Sequence, residues 1–128
     1  MAIHHLALTT PDVEALAGFY REVLGLPELT RHLDEGGLRS VWLDLSPGIL
    51  MVERASPPAS PSETGWFLLA LTIEPGERAA WKARLGSACT HESGFTLYGV
   101  DPEGNRFGLS HYPEAAPSRR GSGPTGAS

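Results

Sequence analysis

The sequence predicts an α+β fold made of two βαβββ repeats. Short runs of apolar residues, typical of half-buried strands, alternate with turn-forming clusters of Gly, Pro, Ser and Asp. Each half of the chain contains one segment with helical spacing of apolar residues, closed by a glycine. The same order of strand, helix and strands returns after roughly 60 residues, which indicates two copies of one supersecondary unit.

The first repeat is predicted to cover residues 3–54. It begins with a strand over residues 3–9 (IHHLALT), after which Thr10 and Pro11 suit the N-cap and the first position of a helix. Gly25 suits the left-handed position that ends this helix. Three further strands follow, at residues 28–34, 38–45 and 49–54.

The second repeat is predicted to cover residues 66–112, after a Pro- and Ser-rich linker at 55–65. It has a strongly apolar strand at 66–73 and a helix at 74–86 that ends at a glycine. Its remaining strands are predicted at residues 88–92, 95–100 and 105–111. Residues 113–128 are of low complexity, and we expect a disordered tail there.

Composition excludes several classes of protein. The formal net charge is −5 and no basic cluster lies in the folded part, which argues against a nucleic-acid partner. No apolar run is long enough to span a membrane, and the first residues do not resemble a signal peptide. The single cysteine, Cys89, cannot form an internal disulfide and fits a reducing compartment. We therefore expect a cytoplasmic protein.

Two motifs give the repeat a family resemblance. The first copy contains "HLALTTPDVEALAGFYREVLGL" and the second closes with "VDPEGNRFGLS". In combination, "FYREVLGL" and "DPEGN" resemble the vicinal oxygen chelate superfamily of glyoxalase I, bleomycin-binding proteins and extradiol dioxygenases. The resemblance implies curled sheets with helices outside, enclosing a pocket within one chain or across a homodimer. It also implies a divalent metal ion in the members that are metal enzymes.

The metal positions that the resemblance implies are mostly not filled by metal ligands in this chain. His5 matches the first ligand, at the head of "H-x-A-L". On the fourth strand Met51 stands nearest the second position, with Glu53 two residues further on the same face. The remaining positions hold Leu68 and Gly108, which have no donor atom. We therefore expect no cofactor, with a divalent metal as the alternative.

Strand alternation predicts which side chains face the cavity. Among them, Trp42 could stack on a planar ligand and Arg106 could pair with a carboxylate or phosphate, although both also suit a purely structural role. His32, His91 and His111 are predicted at the surface or rim. The predicted ligand contacts are Thr9, Trp42, Met51, Leu68, Ala70, Arg106 and Gly108.

Three functions fit this pattern. The first is a metal-independent small-molecule binder, similar to the bleomycin-binding branch. The second is a lyase, isomerase or dioxygenase-type enzyme in which His5 and Glu53 are the catalytic residues. The third is a scaffold that only binds another protein. The identity of the ligand does not follow from the sequence, because a fold does not determine a function.

Overall fold

The computed structural model describes residues 1–55 and 67–117. These residues fall into two compact units, one formed by residues 1–55 and 101–105 and the other by residues 67–100 and 106–117. Residues 56–65 of the predicted linker and residues 118–128 of the predicted tail lie outside the described ranges. No helix in those ranges is long and apolar enough to cross a membrane.

The first unit is a four-stranded sheet with one helix. Its sheet order is β1-β4-β3-β2, with β1 parallel to β4 and the other pairs antiparallel. The elements are β1 (His5–Thr10), α1 (Val13–Glu22), β2 (Glu28–Asp34), β3 (Gly37–Asp44) and β4 (Ile49–Arg54). This is the predicted order, and the bounds of β2 and β4 are those expected from the sequence.

The core of this unit forms where α1 covers one face of the sheet. Leu16, Ala17 and Tyr20 on the helix are fully buried. The facing strand residues Val41, Leu43, Leu50 and Val52 are fully buried as well. Each large apolar side chain removed from water in this way contributes roughly 1.5–3 kcal/mol. The helical spacing read from the sequence therefore identifies the packed face correctly.

The start of α1 differs from the prediction. Asp12, not Thr10, is the N-cap, and its side chain accepts a hydrogen bond from the Ala15 N–H at 3.1 Å. Thr10 is the last residue of β1, where it pairs with Arg54, and its Oγ1 accepts from the Asp12 N–H at 2.9 Å. The parallel ladder extends the strand through Thr10, so the cap moves to the next side chain able to accept. Pro11 consequently precedes the helix.

The "DPEGN" turn is held by one buried carboxylate. Asp101 accepts hydrogen bonds from the backbone N–H groups of Glu103 and Asn105 and from the Asn105 side chain, each at 2.8–2.9 Å. It also accepts from the Tyr20 hydroxyl of α1 at 2.8 Å. Because of these contacts the turn belongs to the first unit, although the sequence places it in the second repeat. Gly104 in the turn has φ +88°.

The second unit repeats this topology, with sheet order β5-β8-β7-β6 and β5 parallel to β8. Its strands are β5 (Leu69–Thr72), β6 (Cys89–Glu92), β7 (Thr96–Val100) and β8 (Arg106–Ser110). The predicted helix begins as a 3-10 turn (Pro75–Glu77) and continues as α2 (Arg78–Leu85), before a second 3-10 turn (Gly86–Ala88). The two mixed sheets with their helices confirm the predicted α+β fold.

Candidate functional site

One face of the first sheet does not pack on α1, and we call it the helix-free face. Alternation along the strands places polar and apolar side chains together there. The helix-free face includes His5, Ala7, Thr9, Thr30, His32, Leu38, Ser40, Trp42, Asp44, Ile49, Met51 and Glu53. It includes every residue of the first repeat that the sequence predicted as catalytic or ligand-binding.

Strand pairing arranges these residues in rows across the sheet. A polar row runs Thr9, Glu53, Ser40, His32 through the four strands. The next row runs Ala7, Met51, Trp42, Thr30, and the last contains His5, Ile49 and Asp44. Neighbouring rows lie about 7 Å apart, since two residues of strand separate them. A small molecule could contact the polar row and the Trp42 row at the same time.

Trp42 is the largest side chain of this face. Its indole Nε1 is buried and has no hydrogen-bond partner within residues 1–55 and 67–117. The His32 ring stands edge-on to it, with ring centroids 5.0 Å apart and planes at 62°. A buried N–H without an acceptor costs free energy, so the indole is held there at the expense of stability.

His32, predicted at the surface or rim, is a residue of this face. It is half-buried, and its Nδ1 lies 3.3 Å from the Ser40 Oγ. Its position on this face follows from the pairing of His32 with Ser40 in the β2–β3 ladder. The register shifts between His32 and Leu33, however, so simple alternation fails at that turn.

The structure does not bring His5 and Glu53 together. His5 pairs with Ile49 and Glu53 pairs with Thr9, so four residues of strand, about 13 Å, separate them along β4. The His5 Nδ1 lies 3.0 Å from the Nδ1 of His4. Glu53 is half-buried and makes no hydrogen bond or ion pair with any residue that the structure describes.

The arginines of the neighbouring strand positions are held away from the helix-free face. Arg31 pairs with Glu14 and Glu28, and Arg54 pairs with Asp34. Hydrogen bonds from Arg31 hold the pKa of Glu28 below its usual range. These ion pairs hold the guanidinium groups of Arg31 and Arg54 on acidic partners other than Glu53.

The predicted contacts of the second repeat lie on or beside the corresponding face of the second sheet. Ala70 pairs with Gly108 in the register of β5 and β8, and Leu68 precedes β5. Gly108 is buried, and a Cβ there would lie 3.1 Å from the Thr96 Cγ2. Arg106 is exposed at the start of β8 and already has an interaction partner. Their contact with a ligand stays a prediction.

His111 is buried, contrary to the prediction of a surface or rim histidine. Its Nε2 lies 2.9 Å from the Arg78 Nη1, and because a guanidinium only donates, Nε2 must accept this hydrogen bond. Nδ1 therefore carries the proton and donates to the Glu114 carbonyl oxygen. The ring thus fixes the chain after β8 to α2 and offers no free nitrogen to a ligand.

The donor positions do not fit the metal site that the resemblance implies. His5 has a carboxylate neither beside it nor across from it in the β1–β4 ladder. Leu68 and Gly108 supply no donor. Among the residues that the structure describes, no group of three or more His, Cys, Asp or Glu side chains could hold a metal ion.

Comparison with protein families settles the resemblance. The sequence model of the Glyoxalase/Bleomycin resistance protein/Dioxygenase superfamily matches residues 2–122. The chain belongs to this superfamily. No protein of curated function matches the sequence.

Solved structures of other proteins share the superfamily fold. The fosfomycin resistance protein FosX of Listeria monocytogenes is 15% identical, with a TM-score of 0.73 over 86% of this chain and 90% of that chain. A lactoylglutathione lyase of Agrobacterium tumefaciens is 22% identical, with a TM-score of 0.67 over 87% and 93%. A glyoxalase/dioxygenase of Nostoc punctiforme is 23% identical, with a TM-score of 0.71 over 88% and 92%. At these identities the likeness concerns the fold.

A FosX variant from Listeria monocytogenes has been crystallised with Mn(II) and 1S,2S-dihydroxypropylphosphonic acid. Superfamily structures therefore include metal-bound and ligand-bound forms.

Proposed function

We propose that this protein binds a small molecule on the helix-free face of the first sheet and does so without a metal ion. The observation that carries the proposal is the Trp42 row. Small-molecule sites are mostly apolar and contain a few well-placed polar groups. Trp42 and Met51 supply the apolar surface, and the carboxylate of Glu53 supplies a polar group.

Metal independence rests on the chemistry of the donors. A catalytic zinc site ordinarily has three protein ligands and keeps one position for water or substrate. At the superfamily positions this chain offers one imidazole, from His5, and a carboxylate from Glu53 about 13 Å along the sheet. Binding would then depend on stacking and hydrogen bonds instead of chelation.

The test is thermal unfolding of the protein in EDTA against a panel of small planar and aliphatic compounds. A ligand that binds only the native state raises the free energy of unfolding by about 2.7 kcal/mol at a hundred times its Kd. Trp42→Ala should abolish the shift. Trp81→Ala is the matched control, because Trp81 lies on α2 beside Arg84.

Two results would contradict the proposal. In the first, protein purified without chelators contains about one Zn, Ni, Mn or Fe per chain by elemental analysis, and EDTA abolishes its ligand binding. In the second, no compound of the panel raises the unfolding temperature in any condition, which would favour a protein-binding scaffold.

A second candidate is an enzyme of the lyase, isomerase or dioxygenase type. The exposed imidazole of His5 favours it, because that ring lies on the same face as Trp42 and could act as a general base. His5 and Glu53 would then act at opposite ends of a substrate. If a discovered activity survives His5→Ala unchanged, this role is wrong.

We also propose that the protein is a homodimer in the cytoplasm. Dimers are implied by the superfamily resemblance, and the free thiol of Cys89 fits a reducing compartment. Light scattering on the purified protein should give twice the chain mass of 13.7 kDa. A monomer at micromolar concentration would contradict the first part, and a secreted pool in cell fractionation the second.

A further inference from the structure

We propose that the ligand of the helix-free face is an organic cation, with a protonated amine or amidinium group on Glu53 and an apolar body over Trp42 and Met51. This inference names the class of ligand and rests on the proposed function. It follows from the charges of the face, the state of Glu53 and the position of the apolar row.

The formal charge of the helix-free face is negative. Its carboxylates are Glu53 and Asp44, and it contains no arginine or lysine. Residues 1–55 contain no lysine at all, and alternation places Arg31, Arg39 and Arg54 on the other face, where Arg31 and Arg54 form ion pairs with acidic partners. An anionic ligand would therefore meet like charge on this surface, whereas a cation would be attracted.

The two carboxylates differ in their hydrogen-bond partners. Asp44 already accepts hydrogen bonds from the Ser46 N–H at 2.9 Å and the Ser46 hydroxyl at 2.7 Å. Glu53 is half-buried between Thr9 and Ser40 and has no partner among the residues that the structure describes. A carboxylate that is partly removed from water without a donor gains most from a charge-assisted hydrogen bond.

The Trp42 row is within reach of the same ligand. Met51 precedes Glu53 by two residues on β4, and Trp42 follows Ser40 by two residues on β3. The apolar row therefore lies about 7 Å from the carboxylate row. A cation near an indole face is also attracted by the ring quadrupole. A planar molecule with a terminal cationic nitrogen matches both rows.

The experiment compares three tricyclic probes of similar shape and different charge at pH 7. They are 9-aminoacridine (cationic), 9-anthracenemethanol (neutral) and anthracene-9-carboxylate (anionic), titrated by fluorescence at low ionic strength. We expect the cation to bind at least ten-fold more tightly than the anion. Its affinity should fall as NaCl is added, because salt screens the attraction.

Glu53→Gln keeps the shape of the side chain and removes its charge. It should weaken binding of the cation by roughly ten-fold and leave the neutral probe unchanged. Glu35→Gln is the matched control, because Glu35 is an exposed carboxylate in the β2–β3 turn, and it should change neither. The salt dependence in the wild-type protein tests the same inference if Glu53→Gln does not fold.

The outcomes separate this inference from the proposed function. If all three probes bind with similar affinity, or if the anion binds best, the face binds small molecules but the inference is wrong. The inference is also wrong if Glu53→Gln and Glu35→Gln have equal effects. If none of the probes binds at any salt concentration, the inference is wrong, and the wider panel of planar and aliphatic compounds then decides the proposed function.

Discussion

The hydrogen bond between Tyr20 and Asp101 offers a direct test of how the family motifs stabilise this fold. Tyr20 is fully buried, and its hydroxyl donates to an Asp101 oxygen at 2.8 Å. Tyr20→Phe removes this donor and changes nothing else in the side chain. We expect a stable, folded protein with a lower free energy of unfolding.

The magnitude follows from the partners that remain. A hydrogen bond to a charged group contributes about 1.5–3 kcal/mol. Asp101 still accepts hydrogen bonds from Glu103 and Asn105, so the buried carboxylate keeps hydrogen-bond donors in the variant. The lower part of the range applies, about 1.5–2 kcal/mol, which corresponds to a fall in Tm of roughly 6–8 °C for a domain of this size.

The assay is urea unfolding of Tyr20→Phe, Asp101→Asn and the double variant. Because the two side chains share one bond, we expect the double variant to cost about 1 kcal/mol less than the sum of the singles. Tyr112→Phe is the matched control, since Tyr112 is 73% exposed, and it should be neutral. Additive costs, or a loss below about 0.5 kcal/mol for Tyr20→Phe, would refute the reasoning.

The same pair predicts an alkaline limit of stability. Burial raises the pKa of Tyr20 above its ordinary value of 10.0, and the charge of Asp101 raises it further. The unfolded chain releases this proton near pH 10 while the native state keeps it, so the stabilisation is complete below that pH and declines above it. Tyr20→Phe should reduce the decline between pH 9 and 11, measured by urea unfolding at each pH. Equal slopes for both proteins would contradict the assignment.

Two further perturbations test packing and charge. A Cβ on Gly99 would lie 2.4 Å from the Ala88 carbonyl oxygen and 2.6 Å from the Phe107 ring. Gly99→Ala should therefore lower the free energy of unfolding by about 1–3 kcal/mol or more, measured with urea. Gly94→Ala is the control and should lower it far less, because a Cβ there meets open space. Hydrogen bonds from Arg31 lower the pKa of Glu28 in the native state below its ordinary 4.5. The ionised Glu28 therefore stabilises the native state above pH 4.5, and this contribution is lost as the pH falls through the native-state pKa. Acid unfolding of Glu28→Gln should accordingly show a weaker dependence on pH between 5 and 3, and an unchanged profile would contradict it.

The fold could be predicted from the sequence because its signals are local and repeated. Period-two runs, helical spacing and Gly25 at φ +73° each required only a few neighbouring residues. The N-cap was misplaced because the length of β1 depends on its pairing with β4, which no local pattern reveals. His111 was misplaced for a similar reason, since its burial depends on Arg78, which is distant in sequence.

From the sequence, the candidate site could be predicted only as a group of residues that share one face of the sheet. Alternation correctly grouped Thr9, Trp42, Met51 and Glu53, but it could not tell how strands are staggered. The stagger is what separates His5 from Glu53 and brings His32 beside Trp42. Register depends on pairing across the sheet, and a shift of one residue moves every side chain to the other face.

The motifs that resemble the family have a structural role in this chain. Tyr20 of "FYREVLGL" and Asp101 of "DPEGN" meet in one buried hydrogen bond, and the turn around Asp101 uses Gly104 and Asn105 to complete it. None of these side chains belongs to the helix-free face. The motifs that carry the family resemblance therefore report the fold and do not by themselves determine the chemistry of the site. The chemistry open to a ligand depends instead on the helix-free face, where Glu53 has no hydrogen bond or ion pair within residues 1–55 and 67–117.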